Sequence, residues 1–308
     1  MQAIIYRRYG GPEVLELVDV EPPKLHVDSV LVRVRAAAVN PADLRMREGL
    51  VDGNVATYFP VIPGWDIAGV VEEAGPGAPE FRPGDEVVGY VRTSVSHRHG
   101  GYAELVATDV HALAPKPASL SWEQAAALPL AGLTAYQAIT GVLDVQPGES
   151  LLVYGAAGGV GSMAVQIAVA RGATVLGVGA GDRAELLRGL GATPVGDDEQ
   201  VTERVRAIVP VGVDAVFDTV GRGMLARAAA VGHDATRYAS TVDIADPGTR
   251  PVFARLVPVD LHAVTELAVQ GRLLPHVGVV LPLAEAADAH RLAATRHGMG
   301  RIVLRIGA

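Results

Sequence analysis

The sequence contains no cysteine among its 308 residues. This excludes disulfide bridges, thiolate zinc ligands and a cysteine nucleophile, and it is compatible with the reducing cytoplasm, where we expect the protein. A surplus of basic residues is also missing, since the net charge is −8. Nucleic acids are bound through basic surfaces, so we expect no nucleic-acid partner.

Long hydrophobic runs are missing as well. The two most apolar stretches, residues 125–143 and 151–180, are interrupted by glycine, proline or polar residues. Neither provides the roughly 20 consecutive apolar residues that cross a bilayer, and the N-terminus has no apolar signal-peptide core. We therefore expect no membrane association. With 49% hydrophobic and 19% charged residues, the chain has a globular composition, and its length allows two domains.

The most informative pattern lies in residues 149–172. A short apolar run at 151–154 predicts a buried strand, and apolar residues at helical spacing over 160–171 predict a helix. The free amide groups and the dipole of a helix N-terminus attract a diphosphate. The turn between strand and helix therefore predicts a dinucleotide site, with contacts from Gly155, Ala156, Gly158, Gly159, Val160 and Gly161.

The spacing of the glycines in this turn matches the dinucleotide fingerprint with one departure. Gly158 would let the backbone approach the pyrophosphate, and Gly161 would let the helix pack closely on the strand. Ala156, beside Gly155, stands where the first glycine is usual. The alternative interpretation is a plain tight turn between a strand and a helix.

The rest of the chain shows two patterns of predicted secondary structure. Short Val- and Ile-rich runs separated by Gly and Pro turns over residues 1–115 are typical of a partly closed antiparallel barrel or a sandwich. After a helix expected over 132–143, strands and helices alternate, which predicts a doubly wound parallel sheet of the α/β class. The tail, with strands near 276–280 and 301–306, is expected to return to the first domain.

The choice of coenzyme depends on the end of the second strand of this sheet. NAD-selective folds place an acidic residue there, which hydrogen-bonds the ribose 2′-hydroxyl. Here small residues such as Gly179 leave room for a 2′-phosphate, and the Arg183 guanidinium would pair with it. Asp182 would repel that phosphate, and a solvated arginine in a first helical turn is the alternative for Arg183. We expect NADPH rather than NADH.

Further motifs follow one another in an order that resembles a known family. They are Val39-Asn40-Pro41-Ala42-Asp43, residues 63–71 (PGWDIAGVV), residues 100–104 (GGYAE), residues 128–136 (LPLAGLTAY), the turn at 155–161 and residues 214–221 (DAVFDTVG). Together they cover nearly the whole chain. The chain resembles the zinc-independent, quinone-oxidoreductase-like group of the medium-chain dehydrogenases/reductases.

The resemblance implies a two-domain architecture and an activity. It implies a GroES-like β-barrel domain formed by residues 1–120 and 258–308, with a Rossmann nucleotide-binding domain at 121–257. It implies NADPH as coenzyme and a small-molecule substrate, either a quinone or the conjugated double bond of an enone or 2-alkenal. It also implies a homodimer formed by late strands of the Rossmann sheet, with Val252–Val257 as the edge.

A catalytic metal is not expected. Zinc-dependent relatives hold the metal with a Cys and a Gly-His-Glu segment, whereas here Asn40 stands near the first place and Pro63-Gly64-Trp65-Asp66 at the second. The ligands of a catalytic zinc are therefore missing. His97 and His99 have no third ligand at a suitable spacing, and we interpret them as part of a solvated loop.

Without a metal, the reaction needs a hydrogen-bond donor where negative charge develops on the substrate oxygen. Asn40 is the leading candidate, mainly by resemblance, because its amide would polarise a carbonyl or orient the nicotinamide ribose. The alternative is structural: Asn40 followed by Pro41 is a favourable N-cap and first residue for a short helix reaching Arg47.

Other candidate residues each have a structural alternative. Tyr58, in a loop expected to overhang the cleft, is the candidate proton donor, although water or a packed lid residue would also fit. Trp65 and Tyr90 are candidates for a flat apolar substrate pocket, or for the core. Beyond the glycine-rich turn, the candidate coenzyme contacts are Asn40, Thr134, Gly179, Arg183, Thr219 and Arg301, of which Thr134 is expected at the start of a helix.

Two other functions remain open. An enoyl-thioester reductase of the polyketide-tailoring type would have the same fold but would need a basic channel for a phosphopantetheine arm, for which Arg45, Arg47 and Arg92 are the candidates. The second is a non-enzymatic NADPH-binding or RNA-binding protein, although the acidic net charge argues against RNA.

Overall fold

The computed structural model describes residues 1–53, 56–92, 96–179, 181–221, 223–295 and 300–307, and of residues 96–98 and 225 it describes the backbone alone. In these ranges the strands are β1 (Gln2–Ile5), β2 (Glu16–Asp19), β3 (Ser29–Val39), β4 (Ala56–Ile62), β5 (Asp66–Ala74), β6 (Glu86–Tyr90), β7 (Ser96–His99), β8 (Leu105–Asp109), β9 (Leu113–Pro115), β10 (Ser150–Tyr154), β11 (Thr174–Gly179), β12 (Thr193–Gly196), β13 (Val213–Asp218), β14 (Gly232–Ser240), β15 (Arg250–Pro251), β16 (Val277–Pro282) and β17 (Arg301–Arg305). The helices in the same ranges are α1 (Pro41–Arg47), α2 (Trp122–Ala126), α3 (Pro129–Gln137), α4 (Gly159–Ala170), α5 (Ala184–Gly189), α6 (Val201–Ile208), α7 (Met224–Ala229), α8 (Pro258–Val269) and α9 (Ala286–Thr295). No helix in this part of the chain is both long enough and apolar enough to span a membrane.

A six-stranded parallel sheet carries the expected alternation of strands and helices. Its order is β12-β11-β10-β13-β14-β15. Strand β10 lies in the interior of the sheet, and all five of its residues are buried because helices cover both faces. The strand order reverses between β10 and β13, which is where such sheets bind their ligands. The prediction of a doubly wound α/β sheet is confirmed.

A second, mostly antiparallel sheet has the order β16-β17-β3-β5-β6-β9, and β8 also pairs with β3. In this sheet β17, near the C-terminus, pairs antiparallel with β3, near the N-terminus. The tail of the chain therefore returns to the first domain, as its pattern suggested. The division into residues 1–120 with 258–308 and residues 121–257 stays a prediction.

Helix α3 lies where the two sheets meet and begins earlier than the sequence suggested. It was expected over 132–143, but it runs from Pro129 to Gln137 and continues as one π turn over Ala138–Val142. Proline is favourable at the first position of a helix, where its missing N–H costs nothing, and this explains the start. A Cβ at Gly132 would lie 2.6 Å from a Val264 methyl, so this glycine permits close packing of α3 against α8.

The edge of the parallel sheet differs from the prediction. The last strand is Arg250–Pro251, and Val252–Val257 forms no strand, so the predicted edge is wrong. The Gln137 side chain accepts from the Arg255 N–H and donates to the Arg255 carbonyl, both at 2.9 Å. Because these backbone groups are already satisfied, residue 255 cannot offer them to a neighbouring strand.

Candidate active site

The glycine-rich turn follows the carboxyl end of β10, and its backbone explains the fingerprint. Gly155 has φ of +71°, a left-handed conformation that glycine adopts without strain. A Cβ at Gly161 would lie 2.1 Å from the Gly155 carbonyl oxygen, so no larger residue fits there. Ala156, which replaces the usual first glycine, is fully buried and donates its N–H to the Val178 carbonyl at 3.2 Å.

The start of α4 presents unused amide groups. Its N-cap residue is Gly158, which has no side chain to accept from the first turn of the helix. The N–H groups of Gly159, Val160 and Gly161 lack acceptors within a helix that begins here. An anion at this place would accept from them and would also lie at the positive end of the helix dipole.

Thr219 lies against the same turn. Its hydroxyl donates to the Tyr154 carbonyl at 2.8 Å, and a Cβ at Gly155 would lie 2.5 Å from the Thr219 oxygen. The structure therefore brings this predicted contact residue to the glycine-rich turn. Asp218, just before it, is buried and accepts from the N–H groups of Val220 and Gly221. That carboxylate therefore stabilises the chain turn that follows β13.

Arg301, the first residue of β17, reaches the glycine-rich turn from the other sheet. A Cβ at Gly159 would lie 2.7 Å from Arg301 Cδ and 3.3 Å from Arg301 Nη1. The Arg301 side chain is only 6% exposed, and its buried Nε has no hydrogen-bond partner in the described residues. A buried donor without an acceptor costs free energy, and a diphosphate at the turn would supply one. The residues present therefore fit a dinucleotide coenzyme.

The other side of Arg301 belongs to a network with Asn40 and Asp66. Arg301 Nη2 donates to Asn40 Oδ1 at 2.6 Å and to Asp66 Oδ2 at 3.1 Å. Asn40 Nδ2 donates to Asp66 Oδ2 at 3.0 Å and, more weakly, to the Ala38 carbonyl at 3.4 Å. All three side chains are buried, and we call them the Asn40–Asp66–Arg301 network. Sequence reasoning did not identify Asp66 as a site residue. The one feature that could have indicated it is its position in the segment where the zinc-dependent relatives have Gly-His-Glu.

Burial has the largest effect on the pKa values of Asp66 and Arg301. It raises the pKa of Asp66 to about 6, against the opposing effects of the Arg301 charge and the hydrogen bond from Asn40. Burial also lowers the pKa of Arg301, which the carboxylate of Asp66 partly offsets. The desolvation of two charges thus outweighs their attraction, which is common for buried ion pairs. A coenzyme phosphate would add a second anion beside Arg301.

Asn40 also opens α1, which runs over Pro41–Arg47 as predicted. The Asn40 N–H donates to Asp43 Oδ2 at 2.8 Å, so the helix start is stabilised by a side chain of its own first turn. Burial raises the pKa of Asp43 to about 7, and the negative charge of Asp66 contributes to this rise. The structural role proposed for Asn40 is therefore present, together with its place beside Arg301.

A second buried polar cluster, which the sequence did not reveal, lies behind α1. Arg47 Nη1 is 2.9 Å from His290 Nδ1, and His290 Nε2 is 3.3 Å from the hydroxyl of Tyr102. The same hydroxyl lies 3.5 Å from Asp43 Oδ2, at the limit of a hydrogen bond. Arg47 is 1% exposed and its donors already bind the Gly10 carbonyl, Glu48 and His290, so its proposed part in a basic channel for a thioester arm is wrong.

The remaining predicted coenzyme contacts lie on α3 and at the end of β11. Thr134 is buried in α3, not at its start, and its hydroxyl donates to the Leu130 carbonyl at 2.7 Å. Gly179 ends β11, and Arg183 follows in a short 3₁₀ turn, with its Nε 3.3 Å from Asp182 Oδ1. Only 19% of the Arg183 side chain is exposed, so it is not a fully solvated arginine.

Three aromatic residues lie in surroundings that differ from the predicted ones. Tyr58 lies on strand β4, not in a loop, and is 58% exposed. Trp65 and Tyr90 are 6% and 1% exposed and pack edge to face with ring centroids 6.2 Å apart, with the Arg92 guanidinium over both rings. This is the core alternative for the two rings, and their role in a substrate pocket stays a prediction.

The two histidines considered for a metal lie on strand β7, so the interpretation as a loop is wrong for residues 96–99. The side chain of His97 lies outside the described residues. Among the side chains that the structure does describe, no group of three His, Cys, Asp or Glu is arranged to hold a metal ion.

Comparison with known proteins gives the same picture as the geometry. Residues 26–118 match the alcohol dehydrogenase GroES-like domain, and residues 159–271 match the zinc-binding dehydrogenase family. An NADPH-dependent alkenal/one oxidoreductase from Arabidopsis thaliana is 33% identical, with 99% of this chain and 79% of that protein covered. The chain belongs to the medium-chain dehydrogenase/reductase superfamily, in its quinone-oxidoreductase group.

Two further relatives of this medium-chain dehydrogenase/reductase extend over nearly the full length. The quinone oxidoreductase of Homo sapiens is 31% identical, with 94% of this chain and 93% of that protein covered. A solved structure of an NAD-dependent alcohol dehydrogenase is 33% identical, with a TM-score of 0.91 and all of both chains covered. The fold is therefore a GroES-like domain with a Rossmann-like parallel sheet, and both NADPH and NAD occur in the names of similar proteins.

Proposed function

We propose that this protein is an NADPH-dependent reductase of quinones or of the conjugated double bond of enones and 2-alkenals, working without zinc. The observation that carries the proposal is the glycine-rich turn with Arg301 beside it, because a buried unpaired donor next to free helix amides suits a diphosphate. The names of the relatives from Arabidopsis thaliana and Homo sapiens support the substrate class.

A nicotinamide coenzyme bound at this turn would supply the hydride. With an enone, that hydride would add to the β-carbon and a proton to the α-carbon, and negative charge would develop on the carbonyl oxygen between the two additions. The charge that develops on the oxygen needs a donor. We propose that Asn40 provides it through the Nδ2 hydrogen that has only the long 3.4 Å contact to the Ala38 carbonyl. Tyr58 or water is proposed as the source of the proton.

The test is an absorbance screen at 340 nm with NADPH and NADH against quinones, 2-alkenals and enoyl thioesters. We expect NADPH oxidation with a quinone or an alkenal. Oxidation with the enoyl thioester alone would support the polyketide-type alternative. Absence of oxidation with every substrate, together with coenzyme binding in calorimetry, would instead indicate a non-enzymatic NADPH-binding protein.

In the same assay, the N40A variant should lower kcat roughly tenfold. This is less than the loss of a dedicated oxyanion donor, because the amide of Asn40 is already shared with Asp66 and Arg301. Coenzyme affinity should fall much less than kcat, since Asp66 still holds Arg301. A turnover equal to that of the wild type would remove Asn40 from the mechanism.

The preference for NADPH is proposed to depend on Arg183. If its guanidinium pairs with the 2′-phosphate, R183A should raise the Kd for NADPH about tenfold and leave the Kd for NADH unchanged. The matched control is R188A on helix α5, where the arginine pairs with Glu185 at 3.0 Å. Calorimetric titration with both coenzymes measures the difference, and equal losses for NADPH and NADH would contradict a 2′-phosphate contact.

Three finer features remain proposals of the same kind. A homodimer would use the sheet edge at Arg250–Pro251 in place of the edge that the sequence suggested. Gly179 and Thr134 are proposed as coenzyme contacts because of their places at the end of β11 and in α3, at the junction of the two sheets. The cytoplasmic location expected from the cysteine-free sequence stays a prediction.

A further inference from the structure

Asp66 joins three donors that come from three different parts of the fold. Its Oδ1 accepts the N–H of Leu130, in the first turn of α3, at 2.8 Å. Its Oδ2 accepts from Asn40 Nδ2 at 3.0 Å and from Arg301 Nη2 at 3.1 Å. The carboxylate is fully buried, so water does not replace any of these bonds. Asp66 is therefore the common acceptor of the proposed donor, the proposed phosphate ligand and helix α3.

These partners determine which way the Asn40 amide faces. A carboxylate only accepts hydrogen bonds and a guanidinium only donates them. Asn40 must therefore turn its NH₂ group toward Asp66 and its oxygen toward Arg301, which lies 2.6 Å away. The reverse orientation would place an oxygen against an oxygen and an NH₂ group against an NH₂ group. The amide thus has a single orientation in which both ends are satisfied.

We propose that Asp66 is a positioning residue for the reduction: it holds one hydrogen of the Asn40 NH₂ group and thereby fixes the other, whose 3.4 Å contact to the Ala38 carbonyl the substrate oxygen would replace. The proposal rests on the proposed function, in which Asn40 is the donor. Through Leu130 the same carboxylate ties this orientation to the start of α3, and through Arg301 to the glycine-rich turn. Asp66 itself touches neither substrate nor coenzyme in this role.

The D66N variant removes the carboxylate that fixes the orientation of the Asn40 amide, and it keeps the size of the side chain. An amide at position 66 has one oxygen and one NH₂ group, so it cannot accept from Leu130 on one side and from Asn40 and Arg301 on the other. In one orientation the new NH₂ group faces the Leu130 N–H, and in the other it faces the donors of Asn40 and Arg301. In the second orientation the Asn40 NH₂ group loses its acceptor, so the orientation of the Asn40 amide is no longer unique, while Asn40 itself remains.

Side-chain amide NMR reports this orientation without any turnover. The chain contains only two asparagines, Asn40 and Asn54. Labelling with ¹⁵N-asparagine therefore gives two NH₂ pairs, and an N54Q variant assigns the pair of Asn40. In D66N we expect the Asn40 pair to shift or broaden, beside one new pair from residue 66. The matched control is D214N at the start of β13, where another carboxylate becomes an amide; it accepts two bonds from Ser150 and lies 3.3 Å from His233 Nε2. In D214N the Asn40 pair should stay in place.

Kinetics give the second measurement. At saturating coenzyme, D66N should lower kcat about tenfold, because a small misplacement of a reacting group costs much of the rate. D214N should keep the kcat of the wild type. If Asp66 were only structural, D66N would lower the melting temperature and leave both kcat and the Asn40 resonances unchanged below the transition. That result would overturn the proposal.

A second variant covers the case in which D66N does not fold. R301K keeps a positive charge and a donor beside Asp66, because the bonds to Asn40 and to Asp66 both come from the single atom Arg301 Nη2, which one ammonium can replace. Because Asp66 remains, the Asn40 amide should still give one sharp NH₂ pair, and a broadened or lost pair would contradict the proposal by showing that the guanidinium, and not Asp66, fixes the amide. Failure of the proposed function is a separate outcome: the wild type would then reduce no quinone or alkenal, whatever the NMR spectra show.

Discussion

Alanine in place of Gly161 is expected to weaken coenzyme binding roughly 100-fold and to lower the free energy of unfolding by about 1–3 kcal/mol. The new Cβ would lie 2.1 Å from the Gly155 carbonyl oxygen, 2.8 Å from its carbon and 2.9 Å from Ala156 Cα. All three neighbours are backbone atoms, so no flexible side chain is able to move away. The turn must open, and the amide groups at the start of α4 then no longer converge on one point.

The control for this variant is the same change elsewhere in the nucleotide domain. Gly189, the last residue of α5, is exposed, and a Cβ there would meet no atom within 4 Å. G189A should keep wild-type coenzyme affinity and gain up to about 1 kcal/mol, since alanine is the better helix former. Calorimetric titration and urea unfolding measure both quantities. Wild-type coenzyme affinity in G161A would show that the diphosphate binds somewhere else.

The elements around this turn could be predicted because their signals are local. The apolar run at 151–154 and the helical spacing from residue 160 lie within one stretch of chain, and the structure has β10 and α4 there. The Asn-Pro pair at 40–41 likewise specifies its own helix start. Patterns of this kind depend on the backbone and on burial of one face, not on distant partners.

The network around Asp66 could not be predicted in the same way. Asp66 is 26 residues from Asn40 and 235 residues from Arg301 in the sequence, and they meet only because β3, β5 and β17 adjoin in one sheet. No periodicity in the sequence indicates a contact between residues so far apart. The resemblance pointed to Asn40 and to Arg301 separately, but only the distances show that a single carboxylate holds both.

The burial of individual side chains was the second feature that could not be predicted from the sequence. Trp65 and Tyr90 are as apolar in a pocket as in a core, and only the packing of the Arg92 guanidinium over both rings shows how they are covered. Arg47 has the composition of a surface residue but is 1% exposed, because the Gly10 carbonyl, Glu48 and His290 take its donors. Tertiary partners, which the sequence does not reveal, decide such cases.

The variant H290Q should make the protein less sensitive to acid than the wild type. Arg47 only donates, so His290 Nδ1 must accept from it, which requires the neutral ring. Burial, and secondarily the Arg47 charge, lowers the pKa of His290 from the ordinary 6.5 to about 3. Between these values the unfolded chain binds a proton that the folded protein does not. The stability contributed by the neutral ring is therefore full above pH 6.5 and is lost as the pH falls toward 3.

The expected size of this effect is about 3 kcal/mol between pH 7 and pH 4.5. The carboxyls of Asp43 and Asp66 act in the opposite direction, because their raised pKa values make the folded protein lose stability as the pH rises. They are present in both proteins, so they cancel when the free energies of unfolding in urea are subtracted at each pH. In H290Q the glutamine keeps an acceptor for Arg47 but does not titrate. The control is H262Q, which replaces an exposed histidine on α8 and tests the effect of losing a histidine as such. A difference between H290Q and the wild type that stays constant over this range would mean that the buried ring accepts its proton as readily as the unfolded chain does.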